Sequence, residues 1–431
     1  MVRLRPSTGW LVAVAVAVTL LATTGVWNPF PDMWAFISTS RPISDPALQW
    51  QQRLGGVPRS VTVLDRLVVV EHSDSVEALN RSTGRRLWQT KSDWATVAGP
   101  PDASVVVSGT LLKKGYEVRE TATGILVRKD DRASAVWSYA NALLEVSCAR
   151  PKDCDLTARV PDTGEELWKT ALPGIGFVLF ADNPKLAMGA SLAPDGMAVR
   201  RQPAPMPSLL GFPIDGRIYA VDTAQGVTYP AIDPGRNASV TVLAGRVVYS
   251  TVTQRDGICL VTLSGRDPVS GAEAWHRDGY QLRTISGAGC EQHKEPVAGG
   301  NAVVAVRPDG REVLLDGADG REVLTCAAGE KVIATDGIHA VVRSADGATV
   351  SVYMLGTAKA LWTRKADPKA TAGVTRNAII LSQHSPDRIY VLDPTTGKMR
   401  NELRSAAAIL AADARGMLLG ERREVGYLPF G

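Results

Sequence analysis

Residues 76–88 read Val76-Glu77-Ala78-Leu79-Asn80-Arg81-Ser82-Thr83-Gly84-Arg85-Arg86-Leu87-Trp88. A run with alternating apolar residues ends at Asn80, Gly84 follows, and Trp88 stands four positions beyond the glycine. Asn and Asp open turns because the side-chain oxygen accepts backbone N–H groups just ahead of it. Gly can take the left-handed conformation that closes a hairpin with a bulge. The stretch therefore predicts strand, turn and strand, with a large ring at a fixed place on the second strand. Burying a ring of that size against a neighbouring sheet is worth a few kcal/mol, at roughly 25 cal/mol per Å².

The arrangement recurs along the chain. VRETATGILV carries Glu120 and Gly124, ARVPDTGEELW carries Val160, Gly164 and Trp168, and YAVDTAQG carries Asp222 and Gly226. RDPVSGAEAW carries Asp267, Gly271 and Trp275, and LLDGADGREVL carries Asp316 and Gly320. A degenerate YMLGTAKALW keeps Trp362, and YVLDPTTGKM carries Asp393 and Gly397. A recurrence of roughly 40–50 residues in a β-rich chain marks the four-stranded blades of a propeller. Eight turns predict an all-β, eight-bladed β-propeller, to within one blade, with each Trp wedged between neighbouring blades. Residues 407–429 add short strands at one end and 48–55 (LQWQQRLG) a lone strand at the other. Joining the two in one blade would close the ring and remove its free edges.

The pattern resembles the pyrroloquinoline-quinone-like (PQQ-like) propeller repeat, A-x-D-x-x-T-G-x-x-x-W, best at residues 78–88, 160–168 and 391–397, over roughly residues 57–402. The resemblance implies one of two kinds of protein. One is a quinoprotein alcohol dehydrogenase with a catalytic Asp, a calcium shell and often an adjacent Cys-Cys pair. The other is a non-enzymatic scaffold or extracytoplasmic sensor, as in the propeller lipoprotein of the outer-membrane β-barrel assembly machinery. This sequence departs from the repeat where Arg128, Leu324 and Asn401 replace Trp, and the seventh copy lacks the Asp and Gly.

Residues 10–27 hold no charged side chain between Trp10 and Trp27, and Arg3 and Arg5 precede them. Eighteen residues at 1.5 Å each span about 27 Å, close to the thickness of a bilayer core. The expectation is a single transmembrane helix at 10–27, a cytoplasmic stretch at 1–9, a proline-containing stalk at 28–47 and an extracytoplasmic propeller at 48–431. A cleaved signal peptide is the alternative, although no A-x-A site follows. The five cysteines suit an oxidising compartment. Cys148 and Cys154 flank a short polar loop and are expected to bridge. Cys259 and Cys290 are the next pairing, with the partners of these two and Cys326 left open.

The interval between Gly164 and Gly226 is long and contains residues 192–216, with five prolines and the apolar Met206, Leu209, Leu210 and Phe212. A long irregular loop of this kind reads as a partner-docking insertion, or as a loop folded onto its own blade. No catalytic motif stands out. The histidines His72, His276, His293, His339 and His384 lack metal-ligand spacing, and no Cys-Cys, P-loop or G-x-S-x-G occurs. No cofactor or metal is expected, PQQ with calcium included. Across 431 residues, 48 basic and 44 acidic side chains leave a net charge of +4, too little for a dedicated nucleic-acid binder. The reading is a membrane-anchored extracytoplasmic scaffold that binds an envelope protein. A small-ligand sensor or quinoprotein-type oxidoreductase using the axial funnel is the alternative.

Overall fold

The computed structural model describes residues 43, 45, 47–178, 198–200, 203–235, 237–255, 258–283, 298–299, 301–357, 359–384 and 387–430. Among them the strands form nine sheets. Blade 1 is Ser60–Val63, Leu67–Glu71, Ser75–Asn80 and Arg86–Lys91. Blade 2 is Trp94–Ala98, Val105–Gly109, Tyr116–Glu120 and Leu126–Asp130, and blade 3 is Ala135–Ser138, Leu143–Arg150, Asp153–Arg159 and Glu166–Leu172. Blade 4 has Leu209–Ile214, Arg217–Asp222 and Val227–Thr228. Blades 5 to 8 start at Ala238, Gln281, Lys331 and Thr371. Blade 9 takes Ala408–Ala412, Gly416–Glu421 and Glu424–Pro429 from one end of the chain and Trp50–Arg53 from the other, with Trp50 opposite Tyr427.

The expected eight blades are therefore nine. The turn motif joins the third and fourth strands of a blade. In blade 9 that junction is the gap between the two ends of the chain, so no turn marks it. Eight turns thus belong to nine blades.

No single core exists. Nine apolar layers each fill one junction between neighbouring blades. Val61, Val68 and Leu79 of blade 1, for example, meet Leu410, Leu418 and Val425 of blade 9. This is the physics of a ring: each twisted sheet buries both faces against its neighbours, so inner strands read as near-continuous Val, Ile, Leu and Ala. Ser60–Val63 is buried throughout, whereas Arg86–Lys91 on the rim alternates with solvent.

Blade 4 departs from the plan. Its motif turn, Asp222 to Gly226, joins Arg217–Asp222 to Val227–Thr228, so these are its third and fourth strands. Among the described residues no strand pairs with the inner edge of Leu209–Ile214. The chain segment that would supply it holds Ala198–Arg200, which instead pairs parallel with Ser60–Thr62 at the inner edge of blade 1. It also contacts Ala408–Ala412, the inner strand of blade 9.

The expected transmembrane helix at 10–27 lies outside the described residues, and among those no helix is long and apolar enough to cross a membrane. Of the expected stalk, Ile43 is buried in the layer between blades 8 and 9, so chain packed on the ring begins before residue 48.

Candidate functional site

The motif residues build the joints between blades. Asn80 Oδ1 accepts the N–H groups of Ser82 and Thr83, both at 3.0 Å, and the Gly84 N–H returns to the Asn80 carbonyl at 2.8 Å. Asp222, Asp267, Asp316 and Asp393 hold their turns in the same way. The turn glycines have φ between 67° and 75°. Their second role is steric. A Cβ on Gly124 would lie 2.7 Å from Trp88 of the preceding blade, and Gly226 stands so to Trp168, Gly320 to Trp275, Gly397 to Trp362 and Gly84 to Trp50. Each ring thus lies on the neighbouring blade's turn. The indole N–H groups of Trp88, Trp275 and Trp362 donate to the carbonyls of Thr121, Gly317 and Pro394, at 2.8, 3.0 and 2.9 Å.

The copies that lack Trp adapt. Arg128 covers Gly164, Asn401 donates to the Pro429 carbonyl at 3.2 Å, and Leu324 is buried between blades 6 and 7. Gly271 has nothing within 4 Å, because the short outer strand of blade 4 delivers no ring there.

The joint between blades 9 and 1 closes the ring, and it carries a network that motif reading missed. Arg81 Nη1 and Nη2 meet the two oxygens of Asp413 at 2.7 and 2.8 Å, Nε donates to the Tyr427 hydroxyl at 2.8 Å, and Nη1 also reaches the Leu64 carbonyl at 3.0 Å. Burial opposes the Arg81 charge, but Asp413 outweighs it and holds the guanidinium pKa above its ordinary value. The signal in the sequence was positional. Three residues before the turn glycine the other copies carry Thr, Pro or Gly; the copy at the seam carries Arg.

Among the described residues three acidic residues are buried as a whole: Glu77, Glu145 and Glu312. Glu77 takes His72 Nε2 at 2.7 Å, while His72 Nδ1 lies 3.3 Å from the Val57 carbonyl. Glu145 accepts from the Tyr116 hydroxyl and Arg159 Nε, both at 2.6 Å, and burial followed by Glu145 raises the Tyr116 pKa. Glu312 accepts from Arg283 at 2.8 Å and from the Val332 N–H at 2.9 Å. Glu77 and Glu145 are held by these bonds, whereas Glu312 Oε1 accepts no hydrogen bond among the described residues and faces Lys331 Nζ at 3.5 Å. His276 is exposed between Glu273 and Asp278, and His339 is buried beside Asp336. Among the described residues no three His, Cys, Asp or Glu side chains converge as metal ligands.

Cys148 and Cys154 are bridged across the hairpin tip of blade 3. Cys326 is a buried free thiol whose pKa burial pushes up to about 12. Cys290 and the side chain of Cys259 lie outside the described residues.

Of the residues expected in a partner loop, Leu209, Leu210 and Phe212 lie instead in a strand, and Met206 stands in the stretch before it. Leu209–Ile214 is the second strand of blade 4, and Leu209, Leu210 and Phe212 are buried. Phe212 meets Trp137 edge-on at 5.8 Å, and Met206 packs half-buried on the same layer. The alternation Leu210, Phe212, Ile214 was a strand signal masked by the surrounding prolines. Residues 192–197 and 201–202 lie outside the described residues.

What blade 4 does provide is a cleft. Its outer strand is only two residues long, which opens a space of about 580 Å³ beside blade 3, lined by Lys152, Cys154, Leu172, Tyr219, Tyr229 and Pro230. The disulfide-braced tip forms one wall.

Residues 261–416, a little over a third of the chain, match the family model described as outer membrane protein assembly factor BamB. The PQQ-like repeat read from the sequence holds over that stretch. Among solved structures, BamB from Moraxella catarrhalis is 16% identical, covers 79% of this chain and 98% of its own, and has a TM-score of 0.37. Quinohemoprotein alcohol dehydrogenase from Comamonas testosteroni is 13% identical over 89% of this chain and 76% of its own, with a TM-score of 0.40. A eukaryotic initiation factor is 10% identical over 91% and 94%, with a TM-score of 0.49. Likeness at these identities concerns the fold alone. No curated protein matches the chain significantly.

Proposed function

We propose that this chain is an extracytoplasmic propeller, tethered to the membrane through residues 10–27, that serves as a protein-binding scaffold in the cell envelope. The observation that carries the reading is how the polar interior is used. The buried Glu77, Glu145 and Glu312 each bond to residues of their own or adjacent blades, and Arg81 bolts the ring shut. Chemistry is left to the rim and the loop faces, the surfaces a rigid ring offers to other proteins. The matching BamB family description agrees with an assembly role. The Cys148–Cys154 bridge supports an oxidising compartment.

The axial-funnel reading, a small-ligand sensor or quinoprotein-type oxidoreductase, has less support. The funnel edge of blade 1 is covered by the chain's own Ala198–Arg200.

Two measurements test the proposal. A phosphatase fused to the carboxyl end should be active outside the cytoplasm; activity only of a cytosolic fluorescent reporter would reject the placement. A photocrosslinker at Tyr229, in the cleft, should yield one discrete protein adduct in intact cells. A melting temperature raised by PQQ and calcium, without such an adduct, would favour the oxidoreductase.

A further inference from the structure

Strand direction alternates in an antiparallel blade, so the loops that follow second and fourth strands emerge on one face of the ring. On that face blade 2 projects residues 110–115, Thr-Leu-Leu-Lys-Lys-Gly. Leu111 is 61% exposed and Leu112 is 106% exposed, more open than in an extended reference peptide. Leu112 also has φ of 62°, a left-handed conformation that a leucine rarely adopts. The tip has a fixed base: the Leu111 N–H donates to Asp93 Oδ2 at 2.9 Å, and Gly115 turns tightly against Asp130 and Asp131. A rigid base thus holds two leucines out of every apolar layer, and Leu112 at a backbone conformation that strain disfavours. Such an outlier points to a function.

The neighbouring loop repeats the feature. After the fourth strand of blade 3, Ile175 and Phe177 are 51% and 65% exposed, while Gly174 and Gly176 lie close against Ile214 and Pro213 of blade 4. Lys113 and Lys114 are exposed beside the leucines and have no ion pair among the described residues. Other charges here include the Lys129–Asp131 and Lys152–Asp215 pairs and the exposed Arg132, Arg150 and Asp153. Protruding apolar side chains flanked by lysines match the acyl boundary and the headgroups of an anionic bilayer. The chain reaches this same face at its N-terminal side: the Asp45 carboxylate accepts the backbone N–H of Arg404, just beyond the fourth strand of blade 8.

We propose that this face rests on an anionic lipid surface, with Leu111 and Leu112 inserted at the acyl boundary and Lys113 and Lys114 on the headgroups. The proposal deepens the functional reading and rests on the membrane tether at 10–27.

The test uses the full chain reconstituted into vesicles of phosphatidylcholine with or without phosphatidylglycerol. The photoreactive residue p-benzoylphenylalanine replaces Leu112, or Val269 on the opposite face as a control, and adducts are identified by mass spectrometry. Lipid adducts at 112 at least fivefold above those at 269, falling at least threefold without phosphatidylglycerol or in Lys113→Glu/Lys114→Glu, are expected. Failure to float with the vesicles overturns the tether and this proposal together. Flotation without lipid adducts at 112, or with adducts only to a second protein copy, overturns this proposal and leaves the tether standing. Equal labelling in phosphatidylcholine alone overturns the anionic selectivity.

Discussion

Arg81 and Asp413 are separated by nearly the whole ring in sequence and meet in a two-bond ion pair of 2.7 and 2.8 Å, each side chain no more than 10% exposed. The pair spans the one joint at which the ring could open. Removing one partner leaves a buried charge without its counter-ion, which typically costs about 3–5 kcal/mol. Arg81→Ala and Asp413→Ala should each lower the stability from urea unfolding by about that amount. Arg81→Met/Asp413→Leu should lose far less than the sum of the two. Additive losses would show that the pair does not act as a unit.

The turn glycines allow a controlled comparison. Gly124 and Gly271 share φ near 70°, so Ala at either meets a similar backbone penalty of about 1–2 kcal/mol. Only at Gly124 would the added methyl also collide with a tryptophan, Trp88. Gly124→Ala should therefore destabilise by at least about 1 kcal/mol more than Gly271→Ala. Equal melting temperatures would mean that the ring does not seat on the turn.

The turn carboxylates set a pH dependence. Arg400, followed by the Thr396 N–H, holds the Asp393 carboxyl well below the ordinary range, and the Ser270 N–H does the same to Asp267. A depressed carboxylate contributes stability that is complete above the unfolded value, about 3.9, and is lost as pH falls through the lower native value. Asp393→Asn keeps the turn acceptor, as Asn80 shows, and removes the charge. The difference between wild type and this variant should be small at pH 6 and vanish at the acid end. A difference that grew on acidification would contradict the assignment.

The ring was legible because its signals are local. Asn80, Gly84 and Trp88 fix the hairpin with their own chemistry, and the period repeats it. Blade number was misjudged because the ninth blade joins two chain ends and has no turn to count. Leu209, Leu210 and Phe212 were misplaced because the prolines around them imitate a loop. The seam network and the partners of the buried Glu145 and Glu312 come from residues 14 to 346 positions away, and no spacing announces such meetings. The protruding Leu112 was equally silent: an exposed leucine becomes unusual only when its backbone angle and its distance from every apolar layer are known.

Cysteine reactivity separates two environments. The Cys148–Cys154 bridge closes a short loop, and its loss should cost about 2 kcal/mol by the chain-entropy relation. Cys326 is buried with its thiol pushed up to about 12, so almost no thiolate exists at neutral pH. Iodoacetamide at pH 8 should leave the Cys326 peptide unmodified in the native protein and label it fully in urea. Rapid native labelling, read by mass spectrometry, would show that the layer between blades 6 and 7 opens readily.

Arg128 offers the most direct test of the joint. It occupies the place of a tryptophan over Gly164, and its Nη1 donates to the Tyr116 hydroxyl at 2.9 Å. Its Nε and Nη2 are shielded from solvent and have no acceptor among the described residues. Unsatisfied buried donors cost about 1–3 kcal/mol each. A tryptophan would place a single N–H toward the carbonyl of Pro161, which corresponds by position to the accepting carbonyls of Thr121, Gly317 and Pro394. Arg128→Trp should therefore stabilise the protein by about 1–2 kcal/mol, while the reverse exchange, Trp88→Arg, should destabilise it. The opposite ordering in urea unfolding would mean that Tyr116 and Glu145 require the guanidinium more than the joint requires a ring. The second blade would then be joined to the third chiefly by charge.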